Sequence, residues 1–200
     1  MPKTFSDSER EYIKQRLREE AKQCLTLYGV RKTTVDELVK RVKIPKGTFY
    51  LFYDSKELLF FDVFCAFHNE IQEKILSEIA SVEGSMNSSQ LTELFFRFYK
   101  MVEESFLLRL MTNGDLELLI RKLPPEVAVK HAENDDINVE QLVSLIPNMK
   151  SDNIPAFSAA LRGVFLSMLH KHEIGEEIFD DALKILIRGV VIQMSEGETL

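Results

Sequence analysis

Residues 29–59 read GVRKTTVDELVKRVKIPKGTFYLFYDSKELL, and the punctuation of this stretch decides the fold. Gly29 follows an apolar-periodic run and suits the left-handed backbone that ends many helices. A new helix is expected just after it. Thr33 and Thr34 can each cap that helix, and Asp36 and Glu37 stand three residues beyond them in capping-box spacing. Val35, Leu38, Val39 and Val42 then form one short apolar face, while Glu37, Lys40 and Arg41 look outward. Ile44 is buried by pattern, and Pro45 suits a first helical position, where its missing N–H would be orphaned anyway. Lys46, Gly47 and Thr48 would make up an exposed first turn. Two helices joined by so tight a turn do not lie antiparallel, and the second of such a pair is the one that enters the major groove of DNA. Gly47 has no side chain to hold backbone and DNA apart, Lys46 can reach phosphate or a guanine edge, and Thr48 offers a hydroxyl and a methyl.

The stretch resembles the DNA-binding half of TetR-family transcriptional repressors. The usual pattern there is T-T/S-V, a helix, I/V-x-K-G-T-L/F-Y-x-H/Y-F, and a K-E/D-x-L helix start. This chain matches at Thr33, Thr34, Val35, Ile44, Lys46, Gly47, Thr48, Phe49, Tyr50, Lys56, Glu57 and Leu59. The resemblance implies that Tyr50 and Lys56 hold DNA phosphates and that Thr33 or Thr34 does the same from the second helix; Leu51 joins the DNA-binding set. Phe52 departs from the pattern. The usual histidine or tyrosine there can hydrogen-bond a phosphate and a phenyl ring cannot, which makes Tyr53 a candidate replacement.

The chain is acidic, with a formal charge of -7 over 200 residues, but the charge is unevenly placed. Residues 1–58 carry thirteen Lys and Arg against nine Asp and Glu, and the remainder carries twelve against twenty-three. A basic head on an acidic body fits a protein whose N-terminal part alone meets DNA, because neutralising phosphates supplies most non-specific affinity. The N-terminus lacks a signal-peptide apolar core, and no run of about 18 uncharged apolar residues follows, so the chain is expected to be soluble and cytoplasmic, with no membrane partner. Cys24 and Cys65 fall on apolar helix faces and read as reduced core thiols.

Periodicity extends the all-α reading to the whole chain. A first helix is expected over 7–28, along Ile13, Leu17, Ala21, Cys24 and Tyr28, and a fourth from Ser55, as its cap, to about Ile79. A loop over 83–89 precedes a fifth helix that runs from Leu91 to Met111, and Gly114 breaks the chain. Short helices are expected over 115–122, 125–133 and 138–146, and two long ones over 153–172 and 176–194. The expected organisation is a DNA-binding domain over 1–54 and a helical effector-binding and dimerisation domain over 55–200.

The two C-terminal helices suggest how the body is used. Ala156, Ala159, Ala160, Gly163 and Ser167 line one face with small residues, which lets helices approach closely. The last helix, with Phe179, Leu183, Leu186 and Val190 among its residues, is apolar over more than one face and needs cover from two sides. The resemblance supplies the second cover, the same helix pair of another subunit in a four-helix bundle. Ala156, Ala160, Gly163, Ser167, Phe179, Leu183, Leu186 and Val190 are therefore the expected homodimer contacts. Eight of fourteen phenylalanines fall between Phe60 and Phe106, more than one apolar stripe requires. Such a cluster is either plain core or, as the resemblance implies, the wall of a pocket for a small apolar or aromatic effector. The candidates for that pocket are Phe60, Phe64, Phe67, His68, Phe95, Phe98, Tyr99, Asn113 and Arg162.

Nothing in the sequence points to catalysis, a metal or a cofactor. His170 and His172 are two apart, so a helix points them away from each other. No nucleophile elbow, zinc-protease, phosphate-loop or dinucleotide fingerprint occurs. The reading is a ligand-responsive dimeric repressor of a palindromic operator. Two alternatives stay open: a TetR-like co-activator that binds a protein through the same face, and an architectural DNA binder without an effector.

Overall fold

A computed structural model describes residues 5–81, 86–129 and 154–196, all of it helix and connecting turn with no strand among the described residues. The helices are α1 (Asp7–Lys32), α2 (Val35–Val42), α3 (Lys46–Phe49), α4 (Lys56–Ala80), α5 (Ser88–Glu103), α6 (Phe106–Thr112), α7 (Asp115–Arg121), α8 (Ile154–Ser167), α9 (Lys171–Ile174) and α10 (Phe179–Glu196). Residues 125–129 are also helical, and the helix expected over 138–146 lies outside the described residues. The chain forms two compact units, one of Met1–His68 with Ser105–Pro124 and one of Asn69–Glu104 with Pro125–Leu200.

In the first unit α1 is the organising element, packed against α2, α6 and α7. It opens with a capping box in which Ser6 and Glu9 each bond the other's backbone N–H, at 3.3 and 2.9 Å. Ile13, Leu17, Ala21 and Cys24 are buried as their spacing predicts. Tyr28 is not: it is 45% exposed and carries the Arg41 guanidinium over its ring. The reason lies one residue on. Gly29 takes φ +74° and breaks the helical path, so Tyr28 stands where the chain has already begun to turn away. Asp115 of α7 locks this corner by accepting from the Val30 N–H at 2.9 Å, and any Cβ at position 29 would sit 2.5 Å from that carboxylate.

In the second unit α10 packs on α5 and α8. Its buried side chains are Phe179, Leu183, Ile187, Val191 and Met194, all at most 1% exposed, a single stripe at spacings of three or four. Ile178, Ile185 and Leu186 are 60%, 72% and 47% exposed. The helix that reads as apolar over more than one face is thus covered, among the described residues, on one side only.

Two boundaries differ from expectation for local reasons. α5 begins at Ser88 and not Leu91, because Asn87 and Gln90 form a capping box inside the segment read as loop. The single helix expected over 91–111 is two, since α5 ends at Glu103 and the Ser105 hydroxyl accepts from the Leu107 N–H to start α6. The first of the two C-terminal helices likewise changes to a 3-10 turn at Met168–His170 before the short α9.

Candidate nucleic-acid interface

The helix-turn-helix is assembled as the sequence predicts. Thr34 caps α2 by accepting from the Glu37 N–H at 3.2 Å, and Lys43, in the left-handed region at φ +61°, closes it. Pro45 stands at the cap of α3, one residue earlier than expected. Only four residues of α3 are regular helix, but bonds from the Leu51 N–H to Thr48 and from the Phe52 N–H to Phe49 carry the turn onward.

This geometry divides the recognition turn into two sides. Thr48 and Phe49 point inward, at 9% and 0% exposure, whereas Lys46, Gly47, Tyr50 and Leu51 are exposed. Positions 46, 47, 50 and 51 share one helical face by their spacing. The expectation that Thr48 belongs to an exposed first turn is therefore corrected: its side chain helps to seat α3 against the unit. The open face is carried instead by Lys46, Gly47, Tyr50 and Leu51. No atom comes within 4 Å of a Cβ built on Gly47, and Lys46 rests against Asp36 at 3.0 Å, an exposed pair that water and phosphate can exchange.

Three other candidates have tasks inside the unit. Thr33 is fully buried and donates its hydroxyl to the Gly29 carbonyl at 2.8 Å, so of the two threonines only exposed Thr34 faces solvent. The Lys56 ammonium donates to the carbonyls of Val30 and Thr33 at 2.9 and 2.6 Å, holding the segment between α1 and α2, and burial lowers its pKa. Two of its three protons are thereby committed. Tyr53, offered by the sequence as a substitute phosphate contact, is 7% exposed and donates its hydroxyl to Asp62 at 2.5 Å. It is a core group.

Asp62 also receives a two-pronged bond from Arg18, Nε at 2.8 Å and Nη2 at 3.0 Å, tying α4 to α1. Burial alone would raise the Asp62 pKa, but the bonds from Arg18 and Tyr53 outweigh it and hold the carboxyl below its ordinary value. A depressed carboxylate pKa adds stability that is complete above the unfolded value, about 4, and is lost as pH falls through the folded one. Wild-type protein should therefore lose urea resistance on acidification below about pH 4, and Asp62→Asn should lose less over the same range. Parallel unfolding curves for the two proteins would show that this linkage contributes nothing.

The aromatic candidates divide between the units. In the first, Phe60 is fully buried and has no surface to offer a ligand, whereas Phe64 and Phe67 are 9% and 8% exposed. Phe64 meets His68 edge-on at 6.4 Å between ring centroids, Phe67 packs on Phe106, and Asn113 is an exposed residue at the end of α6. In the second, Phe98 and Tyr99 are buried, Phe95 and Arg162 half-buried. The buried Tyr99 hydroxyl donates to the Leu161 carbonyl at 2.7 Å, and the Ser158 hydroxyl is buried with no hydrogen-bond partner among the described residues.

The dimer candidates divide as well. Ala156, Gly163 and Leu186 are exposed, and Ala160, Ser167 and Val190 are half-buried. Phe179 and Leu183 are 1% exposed and fill the core of the protomer itself, so they are not on the open face. Their neighbours Ile178 and Ile185 are.

Among the described residues no helix is long and apolar enough to cross a membrane, and no three His, Cys, Asp or Glu side chains gather where a metal ion could sit. What the fold defines is an all-helical protein with an N-terminal helix-turn-helix and a helical body. Comparison with known proteins agrees. Residues 17–63 match the family model described as bacterial regulatory proteins, tetR family. An uncharacterized HTH-type transcriptional regulator of Bacillus subtilis, YhgD, is 36% identical over 56 residues, a match that spans 28% of this chain and 29% of the length of that relative. Two solved structures extend the likeness of fold to nearly the whole chain. A putative TetR-family transcriptional regulator from Mesorhizobium loti superposes with a TM-score of 0.69 at 16% identity, over 98% of this chain and all of the other. The Thermus thermophilus TetR-family repressor FadR, solved in complex with lauroyl-CoA, gives 0.60 at 18% identity over 94% and 95%. The likeness to the TetR family in sequence is thus carried by residues 17–63, and the likeness of fold by nearly the whole chain. These relatives are named as regulators of transcription.

Proposed function

We propose that the chain is a dimeric, effector-responsive repressor that binds a palindromic operator in the cytoplasm, without cofactor or metal. The observation that supports DNA binding best is the open face of Lys46, Gly47, Tyr50 and Leu51, a turn with a cation, a bare backbone and a phenol on one side and a packed core on the other. Lys46, Tyr50 and Leu51 contact bases and phosphate, and Thr34 joins them from α2. The domain boundary of function falls near residue 54. Occupancy of the operator blocks transcription, and an effector that prefers another spacing of the two heads releases it.

The effector is a small molecule with an apolar or aromatic part. Two features of the second unit favour such a ligand: the aromatic residues Phe95, Phe98 and Tyr99, and a buried serine hydroxyl at Ser158 that lacks a partner among the described residues. The lauroyl-CoA bound by the Thermus relative makes acyl thioesters the first class to try. Gel-shift assays on genomic fragments, with and without lauroyl-CoA and simple aromatic acids, test both halves of the reading. No shifted fragment from a folded dimer would refute DNA binding and favour the protein-partner alternative, to which exposed Tyr50 and Leu51 would then belong.

Phe98→Ala should reduce release by effector more than operator binding. A buried Phe→Ala change also costs about 3 to 5 kcal/mol of stability, so melting must be recorded beside affinity. Equal losses in folding, DNA binding and release would assign Phe98 to plain core.

A further inference from the structure

Phe52 is the one position where the helix-turn-helix lacks a polar group that its sequence pattern would place there, and the structure puts something on that ring. The Arg10 guanidinium carbon lies 5.3 Å from the Phe52 ring centroid, and Phe5 packs against the same ring at 6.4 Å. Phe52 directly follows Tyr50 and Leu51, which are 49% and 56% exposed, and adjacent Cα atoms are only about 3.8 Å apart. Arg10 itself is exposed, in the first turn of α1. Its charge is therefore held at the edge of the open recognition face.

The other arginines between residues 5 and 68 show why this matters. Arg16 pairs with Glu19 and Glu20, Arg18 with Asp62, Arg31 with Asp115, and Arg41 with Glu20 and Glu37. Arg10 has no carboxylate partner among the described residues, although Asp7 and Glu11 stand near it on α1. An arginine in an ion pair has part of its charge and of its N–H donors already taken up by the carboxylate, which weakens its hold on a phosphate. One stacked on a ring keeps its ring contact and presents its N–H groups at its own edge, where a phosphate can take two of them.

We propose that Arg10, presented by the Phe52 ring, is a DNA-backbone contact of this protein. The inference rests on the DNA-binding reading above and adds a residue to it. The ring does not bind phosphate; it positions the cation that does. Phe5 buttresses the ring from the N-terminal side, so the start of α1 becomes part of the interface. Because the contact is to the backbone, it strengthens binding to every sequence alike and carries no base preference.

Fluorescence anisotropy with a labelled random-sequence duplex about three helical turns long tests this, with salt varied from about 50 to about 200 mM. Arg10→Gln should weaken binding at low salt and reduce the slope of log affinity against log salt by about 0.9 per subunit, so that each subunit's share of the salt-induced loss shrinks about three- to fourfold. Phe52→Leu should reproduce most of that change, Phe52→Tyr should not, and Phe52→Leu should add little on top of Arg10→Gln. The melting temperature of Arg10→Gln should match wild type, since an exposed side chain is removed.

Unchanged affinity and slope in Arg10→Gln, with Gly47→Leu still losing specific binding, would overturn the proposal and leave the repressor reading intact. Full additivity of the two substitutions would also overturn it, because it would show that the ring does not act through the arginine. A wild-type protein that binds no duplex at any salt would overturn both.

Discussion

Gly163→Leu is expected to leave the protomer folded and to dissolve the proposed dimer. Gly163 sits exposed in α8 with no atom within 4 Å of a Cβ built on it, so within one protomer a leucine there meets open space. Replacing glycine inside a helix should even favour that helix by several tenths of a kcal/mol. The cost arises only between protomers, where a bulky side chain holds two close-packed faces apart. Overpacking costs about 1 to 3 kcal/mol per site, and a two-fold interface contains the substitution twice, so dimer affinity should fall roughly thirtyfold or more. Operator affinity should fall with it, since two heads no longer share one effective concentration. Sedimentation at working concentration reads the mass directly. A dimer of unchanged mass would move the interface away from α8, leaving the exposed Ile178, Ile185 and Leu186 to be explained separately.

Gly47→Leu should abolish specific DNA binding while the protein melts no earlier than wild type. Position 47 is likewise exposed and unobstructed, so its missing side chain serves nothing within the protomer. In a groove it permits backbone approach, and a leucine there would hold Lys46 and Tyr50 away from their partners. Specific sites are commonly bound about a thousandfold or more tighter than random DNA, and that whole margin is at stake. Weak, salt-sensitive binding should survive because the cations remain. Duplexes enriched from a random pool by the wild-type protein provide the probe. If Gly47→Leu and Lys46→Ala both retain them, the recognition face lies elsewhere and the protein-partner reading takes its place.

Both glycines were visible in the sequence, yet for different reasons. Gly47 stands in an ordered run of turn, cap and helix signals, each local, so neighbouring residues alone announce its role. Gly163 stands in a stripe of small residues, which says that something approaches closely but not what. Among the described residues nothing in the same protomer does so. The capping boxes at Ser6 and Asn87 show the same limit from the other side. Ser6-Asp7-Ser8-Glu9 precedes a strong periodic run whose start the apolar spacing marks by itself, whereas Asn87-Ser88-Ser89-Gln90 has the composition of a loop.

The sequence by itself determined the all-helical class, the positions of α1 to α4, the break at Gly29 and the likeness of its N-terminal part to the tetR family model, because caps, glycine turns and apolar spacing act over a few residues. Only the tertiary structure decided which way each polar candidate points. Thr33, Thr48 and Lys56 belong to the family's pattern and Tyr53 reads as a substitute for its missing polar group, but their partners are Gly29, the core beneath α3, the carbonyls of Val30 and Thr33, and Asp62 respectively. The Arg18–Asp62 bond spans forty-four residues of chain and the Asp115 lock on Val30 eighty-five. Local pattern carries no information about contacts at that separation. A buried hydroxyl or ammonium takes its partner from whatever packing brings beside it, since leaving it without one costs about 1 to 3 kcal/mol, more when it is charged.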